Sequence, residues 1–166
     1  MQYWEEKLYP MFLNGIEGDR FKFMTNADIQ ELCYSLATRA ISTFKFPKVS
    51  LAYSCTYLDA YGNEVEKMDN WAVQKWYFEN DVTDKEITIL VAWMKAFWYG
   101  DLNSNADDFS EQYTDANIKS FSKANHVDKN WKKYTDALAT AKRFEHDYSR
   151  VNSDGTPAVG DINNDS

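Results

Sequence analysis

VTDKEITILVAWMKAFWYG, residues 82–100, decides the fold. Thr83 and Glu86 stand three apart, the spacing at which a threonine hydroxyl and a glutamate carboxylate cap each other's backbone N–H groups, with Val82 and Ile87 placed as a hydrophobic staple. A helix therefore starts here. Ile87, Leu90, Val91, Met94, Phe97 and Trp98 recur at helical spacing, and Ile89, Ala92 and Trp93 make much of the opposite face apolar too. Such a helix is buried on most sides. Its apolar run, Ile87 to Tyr99, is too short to span a bilayer and contains Lys95, so it reads as a core helix. Gly100 is placed as its left-handed C-terminal stop.

Upstream, Tyr3 to Leu13 reads as a short helix or ordered arm interrupted by Pro10. A second helix opens at Thr25 or Asn26 and presents Ile29, Leu32, Cys33, Leu36, Ala40, Ile41 and Phe44 before Pro47 stops it. From Val49 the pattern switches to alternation, Val49, Leu51, Tyr53, Cys55 and Tyr57 against small polar residues, which predicts a strand. Tyr61 to Glu64 supplies a turn, and 71–80 is either a return strand or irregular structure. Loops as long as the 47–80 excursion usually serve function or a partner.

Downstream, 101–114 is an acidic, Asn-rich linker, Asp115 to Phe121 a short helix, and Ala124 to Ser149 a long helix with a stripe of Val127, Trp131, Tyr134, Leu138, Ala141, Phe144 or Glu145, and Tyr148. That helix would be roughly 37 Å long and would project from a core of this size. Residues 151–166, rich in Gly, Asn, Asp and Ser, read as a disordered tail. The predicted fold is mainly α: a small helical bundle over residues 1–150 with one long C-terminal helix, a β-hairpin-like excursion and a flexible tail.

The 166 residues suffice for one real core, and six Trp, eleven Tyr and ten Phe are more rings than that core needs, so some belong at interfaces. Trp71, Trp76 and Trp131 are candidates for such anchors or for the core. The net charge of -8 opposes non-specific nucleic-acid binding. It is unevenly spread: 101–115 carries five acids and no base, while 123–150 carries seven bases and four acids. Cys33 and Cys55 have no metal-ligand or disulfide-framework spacing, and no basic n-region with an apolar run opens the chain, so a reducing cytoplasm is expected.

Chemistry is not apparent. His126 and His146 lie on one helix, about 30 Å apart. No nucleophile elbow, P-loop or HExxH occurs. Asp101, Asn103 and Asn105 begin a calcium-loop pattern, but Ala106 replaces the required glycine and Gln112 the bidentate glutamate; Asp161, Asn163 and Asp165 begin another that breaks off. No catalytic residue, metal or cofactor is expected.

Four phrases carry a resemblance. AISTFKFPKVSL (40–51) closes the second helix, TDKEITIL (83–90) opens the next, IKSFSKANH (118–126) opens the long helix, and Tyr148-Ser149-Arg150 closes it. Their order is similar to that of the head-tail connector, or adaptor, proteins of the tailed-bacteriophage neck. The residues that match are Phe44, Pro47, Glu86, Phe121, Ser122, Ala124, Asn125, His126, Tyr148 and Arg150, while Ile118 stands where an aromatic is expected and the excursion is more elaborate than the simplest members need.

The resemblance implies a structural virion protein, assembled in the host cytoplasm: a homo-oligomeric ring, typically a dodecamer, between the portal protein and the next neck or tail protein. Genome DNA would pass its lumen without specific binding, and no membrane is involved. An acidic wall would repel phosphate, and 101–115 is the stretch expected to form it. Adaptors of this kind send their C-terminal segment into the portal, which marks Arg150, Val151, Val159 and Ile162 as docking candidates. The alternatives are a cytoplasmic helical protein-binding or regulatory module, or another neck component such as a tail-completion protein.

Overall fold

A computed structural model of the chain describes residues 2–16, 24–66, 72–104, 120–152 and 156, the side chains of 120–128 and 130 excepted. Along these residues run β1 (Gln2–Tyr3), α1 (Leu8–Asn14), α2 (Asn26–Thr43), β2 (Tyr53–Leu58), β3 (Glu64–Val65), β4 (Val73–Phe78), α3 (Asp84–Ser104) and α4 (Ser120–Ser149). The chain is mostly helical, but with a four-stranded antiparallel sheet in the order β1-β4-β2-β3. It is thus not a pure helical bundle.

α3 is the centre. It packs against α1, α2 and α4, and Ile87, Leu90, Met94 and Ala96 are at most 1% exposed. Val82 and Ile87 are both buried, as the staple requires. α2 opens at Thr25: its hydroxyl accepts the Asp28 N–H at 3.2 Å while Asp28 Oδ2 accepts the Thr25 N–H at 3.0 Å. Its buried face is Cys33, Leu36, Ala37 and Ala40, and the helix ends before Pro47 as expected.

Several boundaries move. Gly100 does not end α3, which continues to Ser104. A Cβ added at Gly100 would sit 3.1 Å from the Tyr134 ring, so the missing side chain lets α4 approach α3 closely. Arg39 holds the added turn through both terminal guanidinium nitrogens on Asp101, at 2.6 and 3.1 Å. The left-handed glycine among the described residues is Gly62, at φ 83°, in the predicted turn. Asp59 closes that turn by accepting the N–H groups of Tyr61 and Asn63.

The N-terminal segment is a strand before it is a helix. Gln2 and Tyr3 pair with Phe78 and Tyr77, and Pro10 is accommodated in the first turn of α1, where N–H groups have no helical partner anyway. Residues 73–78 are the return strand. The predicted strand from Val49 begins only at Tyr53, because the Val49 N–H is taken by a side chain described below. α4 starts at Ser120, so Phe121 belongs to it and not to a separate short helix; its 30 residues span about 45 Å. Trp71, residues 105–119, which hold most of the expected linker and the start of the expected short helix, and residues 153–155 and 157–166 lie outside the described residues.

Candidate functional site

Three remote parts of the chain meet where the N-terminus of α3, the C-terminus of α4 and the 44–51 connector come together. At the middle is Glu86, with no exposed surface. Its Oε2 accepts the Thr83 N–H at 2.9 Å and the Thr83 hydroxyl at 3.0 Å, and its Oε1 accepts the Val49 N–H at 3.1 Å and the Tyr148 phenol. Four donors fill the lone pairs of one carboxylate. Burial alone pushes this carboxyl up, but the hydrogen bonds from Tyr148, Thr83 and Val49 outweigh it and hold the group below its ordinary value. The first turn of α3 adds its N-terminal dipole. A buried negative charge is therefore sustained by neutral donors.

Tyr148 is the second hub. Its phenol oxygen donates to Glu86 and accepts the Lys48 N–H at 3.1 Å. Burial, then the hydrogen bond to Glu86, pushes the phenol up to about 12. Phe44 packs edge-on against the Tyr148 ring at 5.6 Å, and the Lys48 ammonium sits over the same ring, 4.1 Å from its centre. That ammonium donates to the carbonyls of Tyr148, at 2.9 Å, and Val151. It thereby caps the end of α4, where carbonyls lack helical partners.

One turn back on α4, Glu145 repeats the device. Its Oε1 accepts the Lys45 N–H at 2.9 Å and its Oε2 the Trp93 indole N–H at 2.9 Å. The stripe of α4 that faces α3 thus runs through Glu145 at 9% exposure, with Ala141 at 0%. Sequence periodicity left Phe144 and Glu145 as equal options, and the Trp93 indole decides between them. Lys45 and Lys48 gave no signal at all, since each contributes mainly through its backbone or over another residue's carbonyl.

Of the matching residues, Phe44, Pro47, Glu86 and Tyr148 come together here, Pro47 as a half-buried link between Phe44 and Lys48. Arg150 is exposed on the last turn, its N–H reaching the His146 carbonyl at 3.3 Å, and Val151 follows it as an acceptor for Lys48. Phe121, Ser122, Ala124, Asn125 and His126 are carried at the far end of α4, and their side chains lie outside the described residues, as do Val159 and Ile162. Trp76 stacks on Trp4 and Tyr34 beside the sheet, while Trp131 is 58% exposed.

Chemically the junction is a lock. Both carboxylates are engaged by donors, and Glu86, with four of them, is poorly placed to exchange a proton with a substrate. Among the described residues no group of three or more His, Cys, Asp and Glu side chains could hold a metal ion, and no helix is long and apolar enough to cross a membrane. No family model, curated protein or solved structure matches the chain.

Proposed function

We propose that this chain is a head-tail connector of a tailed-phage neck, forming a homo-oligomeric ring, typically a dodecamer, that docks on the portal and lets DNA pass. The observation that carries the reading is the meeting of Phe44, Pro47, Glu86 and Tyr148. These residues were picked out from three separated phrases by resemblance, and Phe44 packs on Tyr148, Tyr148 bonds Glu86, and Pro47 lies in the connector whose Val49 N–H also reaches Glu86. Phrases that recur together in a family are expected to hold a shared framework together.

A ring reading also gives a use to exposed apolar groups. Trp131, Phe46 at 62% and Tyr61 at 90% exposure are the kind of anchor that an adjacent copy covers. Asp101, the first acid of the proposed lumen stretch, is already paired with Arg39, so the repulsive charge would come from the acids after it.

The test is the mass of the purified protein alone and mixed with portal rings, by native mass spectrometry. Stoichiometric binding to a dodecameric portal is the expected result. A monomer that ignores portal rings would overturn the reading in favour of a helical regulatory module.

A further inference from the structure

We infer that copies of this chain join head to tail, the β2–β3 hairpin tip of one copy seating Tyr61 in the groove between α1, α3 and α4 of the next. Tyr61 is 90% exposed. It nevertheless stands on a locked turn. Asp59 Oδ1 accepts the N–H groups of Tyr61 and Asn63 at 2.8 and 2.9 Å, Asp59 Oδ2 accepts the Asn63 side-chain amide at 3.1 Å, and the Asp59 N–H donates to the Asn63 carbonyl at 2.9 Å. Gly62 supplies the left-handed residue of the turn, and residues 60–64 are all exposed. A ring on a braced tip loses little conformational freedom when a partner covers it, which is what an anchor needs.

The hole lies on another face. A depression of about 480 Å³ opens where α1, α3 and α4 meet, with Met11, Val91, Tyr99 and Phe144 among its apolar walls. A cavity of about 150 Å³ already takes a benzene ring, so a phenol has room. A tyrosine hydroxyl needs a partner when it is buried, and Asp136 and Thr140 stand on the α4 wall. Knob and hole are both open in one protomer, so neither serves the other within the chain.

Their charges are complementary. Residues 59–66 carry Asp59, Glu64 and Glu66 and no base. Lys85 lines the adjoining depression, which shares Thr88 and Phe144 with the hole, and Lys132 is one turn from Asp136 on α4. Both lysines are exposed, and neither has a carboxylate partner among the described residues. The acids of the tip meet these two cations at the rim while the ring goes inside. A knob and a hole on different faces make a heterologous contact, in which every copy gives and receives and the series closes into a ring where the rotation allows. The inference rests on the homo-oligomer part of the proposed function, for which it names the contact, and not on the portal.

The test uses the full chain in solution, its mass read by light scattering and native mass spectrometry. The wild type should self-associate beyond a dimer. Tyr61→Glu removes the knob and Thr140→Trp fills the hole, and each should weaken self-association roughly thirtyfold, the loss typical of an interface anchor. Mixed in equal amounts the two should form a heterodimer and nothing larger, because one intact knob then meets one intact hole. Lys85→Glu/Lys132→Glu, at two exposed positions, is a second hole variant that leaves the core untouched, and it should pair with Tyr61→Glu less well than the wild-type rim does at low salt. A wild type that stays monomeric at roughly 1 mM, variants that assemble as the wild type does, or a mixture that stays monomeric would each overturn the inference. Portal capture is scored separately, so failure of the contact is told apart from failure of the neck reading.

Discussion

Tyr148 donates its phenolic proton to Oε1 of Glu86, which lies 62 positions earlier in the chain and is wholly buried. This bond ties the last turn of α4 to the first turn of α3, with the Lys48 and Val49 amides closing the gap between them. The stability of the junction should therefore depend on pH at both ends of the scale. Glu86 is held below its ordinary 4.5, so its contribution is present above that value and is lost as pH falls through the lower folded value. Tyr148 is raised from 10.0 to about 12, so its contribution is complete below pH 10 and is lost as pH rises through about 12. Glu86→Gln and Tyr148→Phe should each cost about 1–3 kcal/mol at neutral pH by leaving buried partners unsatisfied. In denaturant titrations the deficit of Tyr148→Phe should shrink between pH 10 and 12, and that of Glu86→Gln below pH 4.5.

Leu90 and Met94 are 0% exposed on the central helix. Replacing either by Ala should cost about 2–5 kcal/mol through lost transfer energy and a residual cavity. A change near zero in chemical denaturation would mean that α3 is not the core.

Gly100→Ala sets two effects against each other. Alanine favours the helix by about 0.5–1 kcal/mol over glycine, but its Cβ would press on the Tyr134 ring at 3.1 Å. The two should nearly cancel. With Tyr134→Ala already in place the clash is gone, and the same substitution should stabilise by most of the helix-propensity gain; a double-mutant cycle reads this directly.

Trp131→Ala should leave the stability of the protomer within about 0.5 kcal/mol, because the side chain is largely in water. In the proposed ring it is an anchor, so the same variant should fall apart to smaller species in light scattering at concentrations where the wild type stays assembled.

A chain ending at Asn152 should fold as the full protein does, since it keeps the Val151 carbonyl that Lys48 holds. On the proposed neck reading it should lose capture by portal rings in sedimentation. Unchanged capture would remove Val159 and Ile162 from the docking surface. Cutting before Val151 is a poorer experiment, because it also strips part of the α4 cap.

Sequence determined the parts of this protein that are local. Thr25 with Asp28 and Thr83 with Glu86 are three residues apart, so the helix starts could be read without knowing the fold. The stripes on α2 and α3, the Gly62 turn and the alternation of Tyr53 to Tyr57 are equally short in range. The tertiary structure decided what depends on distant partners. Glu145 joined the buried stripe because Lys45 and Trp93, 100 and 52 positions away, supply its donors. Gly100 became a packing site instead of a stop because Tyr134 arrives from another helix, and the residues just after Val49 stayed out of the sheet because Glu86 claims that N–H. Gln2 and Tyr3 became a strand because Tyr77 and Phe78 offered an edge. Periodicity reports which side of an element is apolar, but a hydrogen-bond partner or a close contact exists only once the elements have met.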